Sequence, residues 1–168
     1  MGINEGRLIW ITGLAGSGKT TLAKEIFRII KEKYPNTIHI DGDDIRFILG
    51  EDAVHDIESR KRTGNIYARL GNLFTKQGIN VIISTISLFH HLHDFNRKNN
   101  KNYYEIFLDV DNEILRERKK ELYSKKENIV GLDHVPEFPK NPSLVLKNNR
   151  SADLQKNVQE IIRIIGGA

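Results

Sequence analysis

Glycine, lysine and threonine residues that suit phosphate binding are concentrated in one stretch, GLAGSGKTT, at residues 13–21. Gly13, Gly18, Lys19 and Thr20 satisfy the pattern G-x-x-x-x-G-K-[ST], between an apolar run and a helix-like pattern. Glycines let successive backbone N–H groups point at phosphates, and the start of a helix adds a favourable dipole. The lysine supplies a charge for the β- and γ-phosphates, and the threonine hydroxyl is a ligand for Mg²⁺. The predicted nucleoside triphosphate site comprises Gly13, Ala15, Gly16, Ser17, Gly18, Lys19, Thr20 and Thr21.

The nucleotide is predicted to be ATP rather than GTP. A GTP-binding switch would need an N-K-x-D element after a strand to read guanine. The nearest match, Asn100-Lys101-Asn102-Tyr103, lacks the aspartate and precedes its predicted strand. ATP with Mg²⁺ is therefore the expected cofactor.

Two aspartates follow the second predicted strand, in the stretch IDGDDIR at residues 40–46. In a parallel sheet, the carboxyl end of this strand is expected to face the phosphate loop on a neighbouring strand. Asp41 and Asp43 would there hold Mg²⁺ through water, and Asp43 would accept the proton of an attacking hydroxyl. Helix N-capping by Asp43 or Asp44 is the alternative, and it is compatible with catalysis. Arg46, one turn along, would point at an anion on the acceptor.

Alternating strand-like and helix-like segments would position these two stretches. Short apolar runs predict buried strands at residues 8–11, 37–40, 81–85, 104–110 and 144–146. Helical patterns cover residues 19–33, 44–49, 57–76, 89–97, 112–121 and 152–165. This order implies a single α/β domain over residues 1–168, with a five-stranded parallel sheet and helices on both faces. Residues 122–141 are mostly irregular, and we expect them to form a functional lid.

Composition excludes several classes of protein. The sequence has no cysteine, which rules out disulfides, thiolate metal sites and cysteine nucleophiles. It also has no apolar stretch of roughly 18 residues and no apolar signal segment near its first residues, so a cytoplasmic protein without a membrane partner is expected. The net charge of +4 includes a basic run at residues 60–62, but no aromatic residues alternate with it as in a nucleic-acid platform. We expect a small-molecule nucleotide substrate and no nucleic acid.

Motifs along nearly the whole chain resemble the adenylyl-sulfate kinase family. They are GLAGSGKTT, DGDDIR, ISLFHHLHDFNR, LRERKKELYSKK and GLDHVPEFPKNPSLVL. The resemblance implies a three-layer P-loop kinase fold with a mobile lid, and transfer of the γ-phosphate of ATP to the ribose 3′-hydroxyl of adenylyl sulfate. That acceptor is a nucleotide whose 5′-phosphate carries a second acidic group in a mixed anhydride. A homodimer is compatible with the family.

The resemblance also implies roles for individual residues around the acceptor. Asp43 would assist the acceptor hydroxyl, and Arg46 and Arg60 would bind the 5′ anhydride or the sugar. Ser87 matches a family serine beside the phosphates. Phe89, two residues further on, would reach an acceptor base if it does not simply pack on the sheet.

Two further cations are predicted to act with the lid. Lys125 lies where the family lid supplies lysines, and Arg118 lies on the preceding helical pattern. Both would come over the transferring phosphate as the lid closes. The predicted catalytic residues are thus Lys19, Asp43 and Lys125, with Arg118 added to the nucleotide-binding set.

Three positions depart from the family pattern. The acceptor segment has His55 and Thr63 where the family has a phenylalanine and an asparagine, and Ile129 replaces a lid phenylalanine. The two family phenylalanines stack on the adenine of adenylyl sulfate, and stacking contributes about 1–3 kcal/mol per base. We therefore expect an acceptor base other than adenine, although a different alignment of the lid would restore Phe138 as a stacking residue. The predicted acceptor-binding residues are Asp41, Arg46, His55, Arg60, Ser87, Phe89 and Ile129.

Cytidine diphosphoramidate is the expected acceptor, because it keeps the 5′ anhydride and the ribose but carries a single-ring base. Kinases that resemble this family act on it during the synthesis of capsule phosphoramidate. Adenylyl sulfate itself is the alternative. A more distant alternative is an ATP-binding switch, which would hydrolyse ATP slowly without an acceptor and would need a partner surface.

Overall fold

Parallel strands alternate with helices along the chain. The computed structural model describes residues 4–50, 56–118, 120 and 135–166. The strands are β1 Arg7–Gly13, β2 Thr37–Asp41, β3 Asn80–Ser84, β4 Asn102–Asp109 and β5 Leu144–Lys147. The helices are α1 Lys19–Lys33, α2 Gly42–Leu49, α3 Ile57–Lys76, α4 His90–Asn99, α5 Asn112–Arg118 and α6 Asp153–Ile164. The predicted elements are confirmed with ends that move by about two residues, and the last residue predicted for α5 lies outside the described residues.

The start of α2 differs from the expectation that Asp43 or Asp44 caps it. The N-cap is Asp41, whose carboxylate accepts a hydrogen bond from the backbone nitrogen of Asp43 at 3.0 Å. The Asp44 carboxylate in turn accepts one from the backbone nitrogen of Asp41 at 3.3 Å. This reciprocal capping box satisfies two backbone donors. The helix therefore begins at Gly42, and Asp43 lies inside its first turn.

The strands form one parallel sheet in the order β2-β3-β1-β4-β5. β1, which leads into the phosphate loop, lies between β3 and β4. The expectation that β2 directly neighbours β1 is therefore wrong, since β3 separates them. Their ends nevertheless converge, because Ser84 at the end of β3 is in register with Asp41 on one side and with Ile11 on the other.

Helices cover both faces of the sheet, as predicted for a three-layer α/β fold. Alternation along β1 sends Ile9 and Ile11 into a core with α1 and α6, and sends Leu8 and Trp10 into a core with α2, α3 and α4. All four side chains are fully buried. Within the described part of the chain, no helix has both the length and the apolar character needed to cross a membrane.

A polar cluster is buried between α4 and β4. Glu105, whose side chain is 0% exposed, accepts a hydrogen bond from Arg97 Nη2 at 2.6 Å. Burial raises the pKa of Glu105, and Arg97 partly offsets this effect. The Nδ1 atom of His93 lies 3.5 Å from Glu105 Oε1, and neither ring nitrogen has a hydrogen-bond partner in the described part of the chain. Burial lowers the pKa of His93 to about 4. The ring is therefore neutral at pH 7, and its protonation is coupled to unfolding.

We predict that His93 makes the folded state less stable as the pH falls. Its folded-state pKa of about 4 lies below the ordinary histidine pKa of 6.5, so the unfolded chain takes up the proton first. The free energy of unfolding therefore has its full value, as far as His93 is concerned, above pH 6.5. It falls by up to about 3 kcal/mol as the pH falls towards 4. Urea unfolding at several pH values should show a smaller loss for His93→Gln than for the parent chain. Glu105 acts in the opposite direction in both proteins. Equal pH dependence in the two would contradict the assignment to His93.

Candidate active site

The phosphate loop, residues 13–21, turns tightly between β1 and α1. Gly16 and Gly18 have φ angles of 85° and 91°, in the left-handed region that glycine adopts without strain. A Cβ atom on Gly18 would lie 2.5 Å from Nδ2 of Asn148. That same amide nitrogen donates a hydrogen bond to the backbone oxygen of Ser17 at 2.7 Å. The loop is thus held against the segment that follows β5, and there is no room for a side chain at Gly18.

Two cations predicted to bind the nucleotide, Lys19 and Arg118, donate hydrogen bonds to backbone oxygens of this loop. Lys19 Nζ donates a hydrogen bond to the backbone oxygen of Leu14 at 2.8 Å. Arg118, at the end of α5, donates to the backbone oxygens of Gly16 at 3.3 Å and of Asn148 at 2.9 Å. A phosphate in the loop would offer both side chains a charged acceptor in place of neutral carbonyl groups, and charge-assisted hydrogen bonds are the stronger ones.

A cleft of about 490 Å³ opens beside the loop. This volume is within the usual range for small-molecule sites. Three of its lining residues are cations, which suits a polyphosphate. The described lining consists of Gly16, Gly18, Lys19, Thr20, Thr21, Arg118, Asn148, Arg150, Ser151 and Leu154.

Asp41 brings a carboxylate to the start of α1. Its Oδ2 atom accepts hydrogen bonds from Thr20 Oγ1 at 2.7 Å and from Ser84 Oγ at 2.6 Å. Mg²⁺ prefers oxygen ligands, and in nucleotide sites it takes one or two from the protein and the others from phosphates and water. Thr20 and Asp41 fit such an ion arriving with ATP. No group of three metal-binding side chains is present among the described residues, so these residues do not form a separate all-protein metal site.

Asp43 and Arg46 follow Asp41 on α2, and Arg60 on α3 is close enough to Arg46 to be affected by its charge. The Asp43 side chain is 82% exposed and forms an ion pair with Arg46, three residues further along α2. Arg60 on α3 is half-buried, and its burial, followed by the nearby charge of Arg46, lowers the pKa of the Arg60 guanidinium. Two positively charged guanidinium groups repel each other, and an anion that lies near both of them reduces this repulsion. The surroundings of Asp43 are therefore suited to an anionic acceptor.

The predicted acceptor residues that follow β3 are mostly buried. Ser87, which is 8% exposed, shares a hydrogen bond of 2.9 Å with the hydroxyl of Thr85. Phe89 packs on the core beneath α3 and α4, with its ring centroid 5.8 Å from that of His91. Ser87 thus lies just beyond the end of β3, whereas Phe89 is engaged in packing.

Phe138, the alternative stacking residue, lies in a different cleft. Its ring centroid is 5.3 Å from that of Phe107 on β4. The cleft has a volume of about 560 Å³ and is also lined by Leu14 and by residues 108–113 and 115. No residue of α2 or α3 is among its described lining residues. Phe138 therefore lines a cleft to which neither Arg46 nor Arg60 contributes.

Three predicted site residues, His55, Lys125 and Ile129, lie outside the described residues. Most of the predicted lid, residues 122–134, lies there too. Its last part is described, and it is fixed to the start of α4. The backbone nitrogen of Glu137 donates to the backbone oxygen of Leu88 at 3.1 Å, and His90 Nε2 lies 2.9 Å from the backbone oxygen of Phe138.

Sequence reasoning missed two residues that contact the predicted site, Asn148 and Ser84, and a third, His39, that contacts Ser84. Asn148 follows β5, and the rule that sites lie beyond the carboxyl ends of parallel strands could have indicated it. Ser84 ends β3, so the same rule applies. His39 lies two residues before Asp41 and therefore points to the same face of β2, with Nε2 2.8 Å from Ser84 Oγ. Burial lowers the pKa of His39, while Asp41 opposes this.

Comparisons with known proteins identify relatives that match the segments of the chain containing this site. A profile of the adenylylsulphate kinase family matches residues 5–147. The chain is 40% identical over 166 residues to the cytidine diphosphoramidate kinase of Campylobacter jejuni subsp. jejuni serotype O:2, covering 95% of this chain and 96% of that protein. It is 30% identical over 152 residues to a probable adenylyl-sulfate kinase of Pyrococcus abyssi, covering 87% of each.

The structure is also similar to a solved structure of a kinase from the same family. The APS kinase of Mycobacterium tuberculosis in complex with AMPPNP and APS superposes with a TM-score of 0.86 and 28% identity. The alignment covers 97% of this chain and 99% of that one.

We predict that Gly18→Ala weakens ATP binding by more than tenfold. The added Cβ would meet Asn148, and a left-handed alanine itself costs on the order of 1 kcal/mol or more. Gly166→Ala is the matched control, because Gly166 also has a positive φ of 80° but its Cβ would lie 3.8 Å from the nearest atom. Isothermal titration with a nonhydrolysable ATP analogue should separate the two variants. Comparable affinities for both would show that the loop tolerates a side chain at Gly18.

Proposed function

The chain belongs to the adenylylsulphate kinase family, whose members are phosphotransferases acting on nucleotides, and from this premise we propose that it transfers the γ-phosphate of ATP to the ribose 3′-hydroxyl of a nucleotide with a 5′ mixed anhydride. The observation that carries this proposal is the 2.7 Å hydrogen bond between Thr20 and Asp41. It joins the phosphate loop directly to the segment that contains Asp43 and Arg46. A donor site and an acceptor site therefore share one boundary, as in-line transfer requires.

On the donor side, the phosphate loop and Lys19 bind the triphosphate of ATP, and Arg118 contacts it from α5. Thr20 and Asp41 would hold Mg²⁺, which would supply positive charge next to the phosphates of ATP. Because phosphoryl transfer needs little covalent chemistry from the protein, positioning and charge neutralisation supply most of the catalysis. Lys125 belongs to the same proposal as a further cation over the transferring phosphate.

On the acceptor side, the pairing of Arg46 with Asp43 connects binding to proton transfer. A carboxylate that is paired with a guanidinium is a weak base. When the 5′ anhydride of the acceptor binds to Arg46 and Arg60, it competes with Asp43 for the guanidinium group of Arg46. Asp43 then loses its cationic partner and becomes a better proton acceptor for the 3′-hydroxyl. The anhydride thus contributes to catalysis as well as to binding.

The acceptor that we propose is cytidine diphosphoramidate, in the synthesis of capsule phosphoramidate. Two observations support a base other than adenine. The sequence has His55 and Ile129 where resemblance to adenylyl-sulfate kinases leads us to expect phenylalanines that stack on adenine. Identity is also higher to the cytidine diphosphoramidate kinase, at 40%, than to the probable adenylyl-sulfate kinase of Pyrococcus abyssi, at 30%. Adenylyl sulfate is the second candidate, supported by the structural similarity to a kinase with APS bound.

We predict that the enzyme consumes ATP with cytidine diphosphoramidate at a kcat/KM at least about tenfold above that with adenylyl sulfate, since the base stacking expected for adenine is reduced. Coupled detection of ADP, with each acceptor in turn and with none, measures this. Introducing both His55→Phe and Ile129→Phe should shift the ratio towards adenylyl sulfate. A parent enzyme that prefers adenylyl sulfate would overturn the assignment of the base. ATP hydrolysis that is independent of any acceptor would overturn the kinase reaction and favour a switch.

We predict that Asp43→Asn lowers kcat by about 10² or more, because a general base typically contributes 10²–10⁴-fold. The dissociation constant for ATP should stay within about twofold. Asp44→Asn is the matched control, since its side chain can still accept the capping hydrogen bond from Asp41 and is not directed to the acceptor in this proposal. Single-turnover measurements with saturating ATP provide the rates. Near-normal turnover of Asp43→Asn would show that Asp43 is not the base.

A further inference from the structure

Three polar side chains at the ends of β2 and β3 share the sheet face that packs against α1. Asp41 is in register with Ser84, and His39 with Ile82. Because side chains alternate along a strand, His39 and Asp41 point to the same face. Ile82 and Ser84 do so on β3, and Ile82 belongs to the core formed with α1. The ring of Phe27 on α1 lies 6.2 Å from that of His39.

Hydrogen-bond chemistry fixes the direction of every proton in this group. A carboxylate can only accept, so Ser84 Oγ, at 2.6 Å, donates its hydrogen to Asp41 Oδ2. A hydroxyl has one hydrogen to give, so Ser84 must accept from His39 Nε2, which lies 2.8 Å away. His39 is thereby assigned the tautomer with a hydrogen on Nε2. The order of donation runs from His39 to Ser84 to Asp41.

The Asp41 carboxylate is therefore held at both oxygens. Oδ2 accepts from Thr20 and Ser84, and Oδ1 accepts from the backbone nitrogen of Asp43 at 3.0 Å. Rotation of the carboxylate would break at least one of these bonds. Thr20 and Asp43 belong to the predicted nucleotide and acceptor sites, whereas Ser84 is 2% exposed and takes no part in either. The hydrogen bond from Ser84 therefore orients the Asp41 carboxylate from its buried side.

We propose that His39 and Ser84 are positioning residues that fix the Asp41 carboxylate for the Mg²⁺ bound with ATP. The inference rests on the proposed function in so far as Asp41 holds Mg²⁺. Partners behind a metal ligand commonly change metal affinity by 10–100-fold when removed. His39 acts through Ser84, because it makes no hydrogen bond to Asp41 itself among the described contacts.

A positioning role and a merely structural role predict different behaviour. Removing a structural hydrogen bond would lower stability and would weaken nucleotide binding equally with and without metal. Removing a positioning group affects the part of nucleotide affinity that depends on Mg²⁺. A relay also predicts that the two residues are not additive, since His39 has nothing left to orient once Ser84 is absent.

The test is isothermal titration of ADP in Mg²⁺ and in EDTA, with no acceptor present. Ser84→Ala is expected to weaken binding about tenfold in Mg²⁺ and less than about twofold in EDTA. His39→Leu should have a smaller effect in the same direction, and no further effect in the Ser84→Ala background. His39→Gln should restore most of the affinity, because its amide nitrogen can donate from nearly the position of Nε2.

Controls keep the outcomes distinguishable. Ser143→Ala removes a hydroxyl that accepts from the backbone nitrogen of Glu105 at 3.1 Å, away from the phosphate loop, and should leave both affinities unchanged. Thermal unfolding without ligand checks that each variant is folded. Equal weakening in Mg²⁺ and EDTA, or additive effects of His39→Leu and Ser84→Ala, would overturn the relay. Because no acceptor is used, an error in the proposed acceptor would leave these results unaffected.

Discussion

The hydrogen bonds of one carboxylate, that of Asp41, connect most parts of the candidate site. This residue ends β2, caps α2, and accepts from Thr20 at the start of α1 and from Ser84 at the end of β3. The end of β2 is thus joined to α2, α1 and β3 through the two oxygen atoms of this carboxylate. The capping bond determines where α2 begins, and so where Asp43 and Arg46 lie relative to the phosphate loop. A shift of Asp41 would therefore displace both the expected metal ligand and the expected base.

The strand order explains why such a connection is needed. With β3 between β2 and β1, the ends of β2 and β1 are separated by two strand spacings, about 10 Å. A side chain from β2 reaches α1 only if it extends across the end of β3. A small residue there leaves space for this path, and a hydroxyl gives the crossing carboxylate a donor. Ser84 meets both requirements, which an alanine or a larger apolar residue would not.

The sequence allowed the strands, the helices and the phosphate loop to be predicted, because each depends on local patterns. Apolar runs gave the strands, and the glycine and lysine spacing gave the loop. The cap of α2 was assigned to the wrong aspartate, since three acidic residues lie within four positions and spacing alone does not choose among them. The strand order was misjudged because parallel strands that are consecutive in the chain need not be neighbours. Ser84 and Asn148 were missed for a related reason: their importance depends on contacts with residues 43 and 131 positions away.

The charges around Asp43 suggest why a 5′ anhydride, rather than a base, would be the feature common to the two proposed acceptors. In the absence of an acceptor, Arg46 is paired with Asp43 and close enough to Arg60 to affect its pKa. A neutral acceptor would separate Arg46 from Asp43 without offering either guanidinium group another anion. An acceptor with two acidic groups provides a stronger partner for both arginines. Selection for the anhydride can then remain while the residues around the base change, and a substitution such as isoleucine for phenylalanine at the base would alter the acceptor without altering the reaction.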